Sequence, residues 1–402
     1  MKTAGRLAHI EPFYVMECAK AAALIAASPA CDPAQGGERM LFLNIGEPDF
    51  TAPPLVQEAA ERAIRAGRTQ YTDALGLPAL REALSAWYLQ RFGLDIPARR
   101  IMVTAGASAA LQLACLALFE AGDEVLMPDP SYPCNRHFVA AADAVAKLLP
   151  TSAEQRFQLD AAAVAQAWTP ATRGVLLASP SNPTGTSIHP DELRRIDAVV
   201  RGHGGPGGRT GPSGVLIVDE IYLGLSYDDT FGHSALQLGE HIVSVNSFSK
   251  YFNMTGWRLG WLVLPDELVA PMERLAQNLF ICASTIAQHA ALACFHPESI
   301  AEYERRRAEF RARRDIVVPA LNRLGLTVPV MPDGAFYAYA DCSAHSADSW
   351  QFAFDLMHSA HVALTPGRDF GRHDPARWLR LSFASSQARL DEALHRLQRV
   401  LG

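Results

Sequence analysis

From Ile101 to Leu264 the chain alternates short β-rich runs with helix-prone ones, and no other feature restricts its fold so tightly. Ile101–Thr104, Glu124–Met127, Val145–Leu149, Gly174–Ala178, Val215–Asp219, His241–Val245 and Leu259–Leu264 are predicted strands. Helical stretches such as Ser108–Phe119 and Pro190–Arg201 lie between several of them. Parallel strands need a crossover between neighbours, so the alternation predicts an α/β fold, a mostly parallel sheet covered by helices. Beyond about residue 285 the character changes. A long helical stretch, Glu298–Leu324, precedes strand-like Leu326–Val330 and Phe336–Asp341 and then a helix, Ser349–Ala360, which reads as a second, α+β domain.

With 402 residues, 49% hydrophobic and 19% charged, the chain can bury a substantial core and divide into two domains. A net charge of −6 leaves no positive excess to displace counterions, which argues against a nucleic-acid partner. The seven cysteines are scattered and show no metal-ligand spacing, so no metal site is expected and a reduced cytoplasm is the expected compartment. Met1–Ile10 lacks a signal-like apolar run, and Ala19–Ala27 is too short to span a bilayer. The segment Arg201–Gly214 is too rich in Gly and Pro for a regular element and reads as a surface insertion; it precedes a strand and lacks the Gly-Lys-Ser/Thr ending of a nucleotide loop. Six arginines between Arg305 and Arg314 are interleaved with Glu302, Glu304 and Glu309, a pattern expected of a solvated helix face with i,i+4 pairs.

The chemistry concentrates around Lys250. It ends Ser247-Phe248-Ser249-Lys250 and is followed, eight residues on, by Arg258 in Gly256-Trp257-Arg258-Leu259-Gly260. An amine and a guanidinium so spaced suit a cofactor carrying both an aldehyde and a phosphate, which is pyridoxal phosphate. Lys250 can form a Schiff base with the aldehyde, while Ser247, Ser249 and Arg258 offer hydroxyl and charge-assisted hydrogen bonds to the phosphate. Thr104–Ser108 joins a strand to a helix, so the N–H groups of Ala107 and Ser108 can face the same anion. A plain N-cap at Ser108 is compatible with that role. Asp219 ends an apolar strand, where open α/β sheets place their ligands, and can keep a pyridine nitrogen protonated; capping the next element is the structural alternative.

Further landmarks follow in order: Asn44–Phe50 with Gly46, Tyr71-Thr72, Asp129–Pro133 with Tyr132, Ser181–Gly185 with Asn182, Asp219-Glu220-Ile221-Tyr222, and Arg380–Phe383. With Ser247–Gly260 they resemble the class I and II aminotransferases of the fold-type I pyridoxal phosphate enzymes, over nearly the whole chain. That resemblance implies a seven-stranded sheet with one antiparallel strand. It implies an N-terminal arm and part of the small domain at 1–45, a large cofactor-binding domain at 46–285 and a small domain at 286–402. Tyr222 and Asn182 are then expected at the cofactor's phenolic oxygen and Tyr132 stacked on its ring. Arg380 and the Gly46 N–H would hold the substrate carboxylate, which suits arginine's planar, always-charged group; Arg377 is a neighbour outside the motif position. Tyr71 resembles the tyrosine that reaches the phosphate in the neighbouring subunit, which implies a homodimer.

The implied reaction moves an amino group from an L-amino acid to a 2-oxo acid by a ping-pong route, with 2-oxoglutarate as the expected acceptor and Lys250 carrying the proton. Lyases and decarboxylases share these residues, and a ligand-sensing domain without catalysis is a further alternative. Such sensors usually carry a fused DNA-binding domain, for which the residues before Gly46 leave little room. Pro12–Met16 and the helix Ala109–Phe119 offer no cation for a second carboxylate, which points to apolar or broad donors unless a partner subunit supplies one, such as Arg39 or Arg68.

Overall fold

The computed structural model describes residues 1–202 and 214–402, so the expected surface insertion lies almost wholly outside the described residues. Seven strands form the large sheet: β1 (Ile101–Thr104), β2 (Glu124–Asp129), β3 (Val145–Pro150), β4 (Thr172–Ala178), β5 (Val215–Asp219), β6 (Val243–Ser247) and β7 (Gly260–Val263). Their order is β1-β7-β6-β5-β4-β2-β3, and β7 alone runs antiparallel to its neighbours β1 and β6. The carboxyl ends of β1, β2, β4, β5 and β6 therefore share one edge with the start of β7. Helices such as Gly106–Leu118 and Pro190–Gly202 cover the sheet, and its central strands are almost completely buried.

Strand ends differ from the sequence reading where chemistry begins. β6 starts at Val243 instead of His241 and continues through Asn246 and Ser247, polar residues that are nonetheless buried. β2 likewise runs on to Asp129. Polar side chains end an apolar run on paper, but here they finish the strands at the edge that carries the site.

A second sheet joins Thr365–Pro366, Trp378–Ser382 and Tyr337–Asp341, all antiparallel, while Leu41–Phe42 pairs in parallel with Val362–Ala363. The expected strand Leu326–Val330 does not form and makes only one bridge, Thr327 to Asp341. Pro329 has no N–H to donate, and the Val328 N–H is taken by Asn322 Oδ1 at 2.7 Å.

The helix Pro297–Arg323 carries the expected pairs, Arg305 with Glu302 and Glu309 and Arg307 with Glu304. Its face is not wholly solvated, however. Arg306 and Arg313 are buried, the first donating to Thr51 O at 2.6 Å and Asn253 Oδ1 at 2.7 Å, the second gripping both Asp49 carboxylate oxygens at 2.7 and 3.0 Å. The helix thus fastens two loops of the large-sheet side. No helix among the described residues is long and apolar enough to cross a membrane.

Candidate active site

At the shared strand edge lies a cavity of about 460 Å³. Gly46, Ala107, Ser108, Tyr132, Asn182, Asp219, Tyr222, Ser247, Ser249, Lys250, Arg258 and Arg380 all line it. The topology explains the convergence, since each of these residues follows or ends a strand at that edge or belongs to a segment folded over it. Tyr71 stands apart from them and is 79% exposed.

Only four lysines occur among 36 Lys and Arg residues, and Lys250 is the one on the cavity. Its Nζ donates to Gly46 O at 2.8 Å. Burial pushes its pKa down to about 8; the Arg380 and Arg258 charges lower it further, and Glu47 and Asp219 oppose them. The turn that presents it is braced, because Asn253, at φ +52°, donates its Nδ2 to Lys250 O at 3.0 Å and is itself held by Arg306. Arg306 carries no signal of this in sequence, where its acidic neighbours suggest a surface role.

Asp219 is also buried, and its pKa rises to about 7, mainly from loss of hydration. Its Oδ1 accepts the Ile221 N–H at 3.2 Å, the carboxylate's one hydrogen bond among the described residues. Adjacent Glu220 is saturated by contrast, accepting from Ser234 Oγ at 2.9 Å, Ala235 N at 2.6 Å and Ser244 Oγ at 2.7 Å. A carboxylate has about four lone-pair sites, so Asp219 keeps capacity for a donor inside the cavity and Glu220 keeps little.

Tyr222 Oη and Tyr337 Oη share a hydrogen bond of 2.7 Å. Burial holds the Tyr222 hydroxyl well above its ordinary pKa, and Tyr337 adds to the shift. Tyr337 carries no motif in the sequence, although strand alternation in Tyr337–Asp341 puts it on one face with Tyr339. It also dictates the neighbouring glycine: a Cβ on Gly46 would lie 2.0 Å from the Tyr337 hydroxyl.

The anion cradle is built from backbone as much as from side chains. Ser108 does not cap its helix; the helix begins at Gly106, after Ala105, which offers no side-chain cap. Thr104 turns its hydroxyl to Gly106 O at 3.0 Å instead, so the first N–H groups stay open. Arg258, at φ +51°, donates to Thr255 O at 3.0 Å and forms no ion pair with a carboxylate among the described residues. Its guanidinium presses on the helix start, where a Cβ at Gly106 would come within 2.6 Å of Nη2. Ser247 Oγ accepts the Ser249 N–H at 3.0 Å, which fixes the loop between β6 and Lys250. An uncompensated cation, an uncapped helix start and two hydroxyls suit a dianion. Together with a half-buried amine and a buried carboxylate that retains acceptor capacity, they fit pyridoxal phosphate.

Arg380 is 3% exposed and held by neutral groups only: Asn182 Oδ1 at 2.8 Å, Asn44 O at 2.6 Å and Thr365 Oγ1 at 3.4 Å. Its Nε has no partner among the described residues. The guanidinium lies 4.5 Å from the Tyr337 ring centroid and 4.8 Å from that of Phe370. Buried Asp369 lies near enough to feel this charge but forms no ion pair with it among the described residues, so the guanidinium keeps capacity for an incoming carboxylate. Arg377, its sequence neighbour, is already paired with Asp341.

The family model described as "Aminotransferase class I and II" matches residues 38–397. A valine–pyruvate aminotransferase of Mycobacterium tuberculosis is 38% identical over 396 residues, covering 97% of this chain and 96% of its own. An aspartate aminotransferase of Pyrococcus horikoshii is 32% identical, with 90% and 91% covered. A crystal structure of an aminotransferase from Mycobacterium tuberculosis superposes with a TM-score of 0.91 at 37% identity, covering 100% of this chain and 99% of that one. That of the Thermus thermophilus aspartate aminotransferase with maleate gives 0.89 at 33% identity, both chains covered completely. The chain belongs to the class I and II aminotransferases, fold-type I enzymes that depend on pyridoxal phosphate.

Proposed function

We propose that Lys250 is both the amine that meets the cofactor's aldehyde and the group that moves the substrate's α-proton in this aminotransferase. The observation that carries the reading is an amine whose pKa lies at about 8, sharing one cavity with Asp219 and Arg380. Near neutrality such a group exists in both protonation states, so Nζ can accept a proton from Cα and give it up again. Bound pyridoxal phosphate supplies the electron sink for the pair left when the Cα–H bond breaks.

In this reading the protein's own groups divide the work. Arg258, Ser247, Ser249 and the Ala107 and Ser108 N–H groups hold the phosphate; Asp219 holds the pyridine nitrogen; Tyr222 and Asn182 serve the phenolic oxygen; Tyr132 covers the ring. Arg380, oriented by Asn182, and the Gly46 N–H fix the substrate carboxylate. Release of the first 2-oxo acid before the second enters gives ping-pong kinetics. We further propose a homodimer in which Tyr71 serves the partner's site. Its exposure supports this, as does an open groove of about 670 Å³ that shares Glu47 and Thr255 with the cavity. The Tyr71 loop borders that groove, since Thr285 donates to Gln70 O at 2.6 Å beside Ser284 and Ile286.

Incubation with an amino acid and a 2-oxo acid tests the reaction. The expected outcome is a new amino acid formed mole for mole with the consumed acceptor. Ammonia or carbon dioxide released in its place would overturn transamination in favour of lyase or decarboxylase chemistry.

A further inference from the structure

We infer that both substrates of this site are monocarboxylic: an aliphatic L-amino acid as donor and a pyruvate-class or aliphatic 2-oxo acid as acceptor, in place of the 2-oxoglutarate expected from the sequence. The inference rests on the aminotransferase reading and concerns only what the site takes.

Among the described residues three cations line the cavity, Lys250, Arg258 and Arg380. Each has a role in that reading, and none remains for a second carboxylate. Much of the remaining wall is apolar, with Phe13, Val15, Met16, Ile45, Leu111 and Ile221. The lining carboxylate other than Asp219 is Glu47, which accepts a hydrogen bond from Thr255 and would repel another acid. A substrate with a side-chain carboxylate would surrender its hydration there without a partner, whereas an aliphatic side chain gains by leaving water. A ping-pong enzyme admits donor and acceptor to one cavity, so the same wall selects both. The exchange needs no further reactant: the donor loses its amino group and two electrons to become a 2-oxo acid, and the acceptor gains both. Arg39 and Arg68 are exposed and do not line the cavity of their own chain. A cation reaching in from a second subunit is the arrangement that would defeat the inference.

The test uses the holoenzyme. Stopped-flow absorbance of the cofactor band would follow the half-reactions with valine, leucine, methionine, aspartate and glutamate, and the reverse half-reactions with pyruvate, 2-oxoisovalerate and 2-oxoglutarate. The aliphatic donors and monocarboxylic acceptors should exceed the dicarboxylic ones by about 100-fold or more in kcat/KM, as an unpaired carboxylate in an apolar site requires. Calorimetry with unreactive acids gives a second readout, independent of turnover: isovalerate should bind about 10-fold or more tighter than glutarate. Met16 is 52% exposed, so Met16→Arg places a cation on the wall without burying it. That variant should bind glutarate about 10-fold more tightly than the wild type. Glutamate and 2-oxoglutarate reacting within about 10-fold of the aliphatic substrates would overturn the inference and reveal a cation from the second subunit. Unchanged glutarate affinity in Met16→Arg would overturn it too, by placing the substrate side chain elsewhere. If no amino acid of either class consumes the band, the aminotransferase reading itself fails, separately from its substrate class.

Discussion

Asp219 and Lys250 are held off their ordinary titration ranges by the same cause, burial, which penalises whichever form is charged: the carboxyl rises to about 7 and the amine falls to about 8. The consequence for Asp219 can be measured in two ways. Asp219→Asn should lower activity by about 100- to 1,000-fold, the usual loss when one fixed electrostatic contact is removed from a reacting centre. In cofactor-free protein the sign reverses for stability. The unfolded carboxyl releases its proton near its ordinary value of 3.8, the folded one only at about 7, so stability present at low pH is lost as pH rises through that window. The cofactor-free variant should therefore melt at a higher temperature than the wild type at pH 8, and thermal melts should show the gap closing steadily from pH 7 towards pH 4. A gap that ignores pH would contradict a buried, ionisable Asp219. The residues expected at the site from sequence all line the cavity except Tyr71, because a motif records chemistry directly. Tyr337 and Glu47 escaped notice because their roles come from what the fold sets against them: a phenol bonded to Tyr222, a carboxylate raising the Lys250 pKa.

Elements were legible where apolarity and period agree, and obscure where a polar residue performs structural work. β1 and β5 match the sequence reading end to end, since both are uninterrupted apolar runs up to their last residue. The sequence reading sets β6 two residues early because Asn246 and Ser247 look like a loop yet pair with Trp261 and Gly260 in β7. The helix after β1 begins at Gly106 and not Ser108, a start that ordinary capping rules do not favour. That departure has a steric cause: Gly106, at φ +84°, lets Arg258 close on the helix start where any Cβ would intrude. Pro329 shows the opposite failure, an apolar run that looks like a strand but cannot complete a ladder. In Pro297–Arg323 the interleaved charges foretell Arg–Glu pairs along the helix; they cannot tell that Asp49, Thr51 and Asn253 meet Arg306 and Arg313 there.

For the whole molecule, the large sheet sets the site by bringing six strand termini to one edge, and the second sheet delivers Arg380 and Tyr337 to the same cavity. One chain so arranged leaves Tyr71 in solvent at the rim of an open groove, which is the reason for proposing a second copy. Light scattering on the eluting holoenzyme should give twice the chain mass at working concentrations; a fully active monomer would contradict the shared site. A single nitrogen carries the proposed chemistry, and the scarcity of lysine makes it unusually easy to test, because Lys2, Lys20, Lys147 and Lys250 are the only lysines present. Borohydride reduction of the holoenzyme followed by peptide mass mapping should find the phosphopyridoxyl mass on the peptide carrying Lys250, and nowhere in Lys250→Ala. That mass on Lys2, Lys20 or Lys147, or its absence from the reduced wild type, would contradict the account.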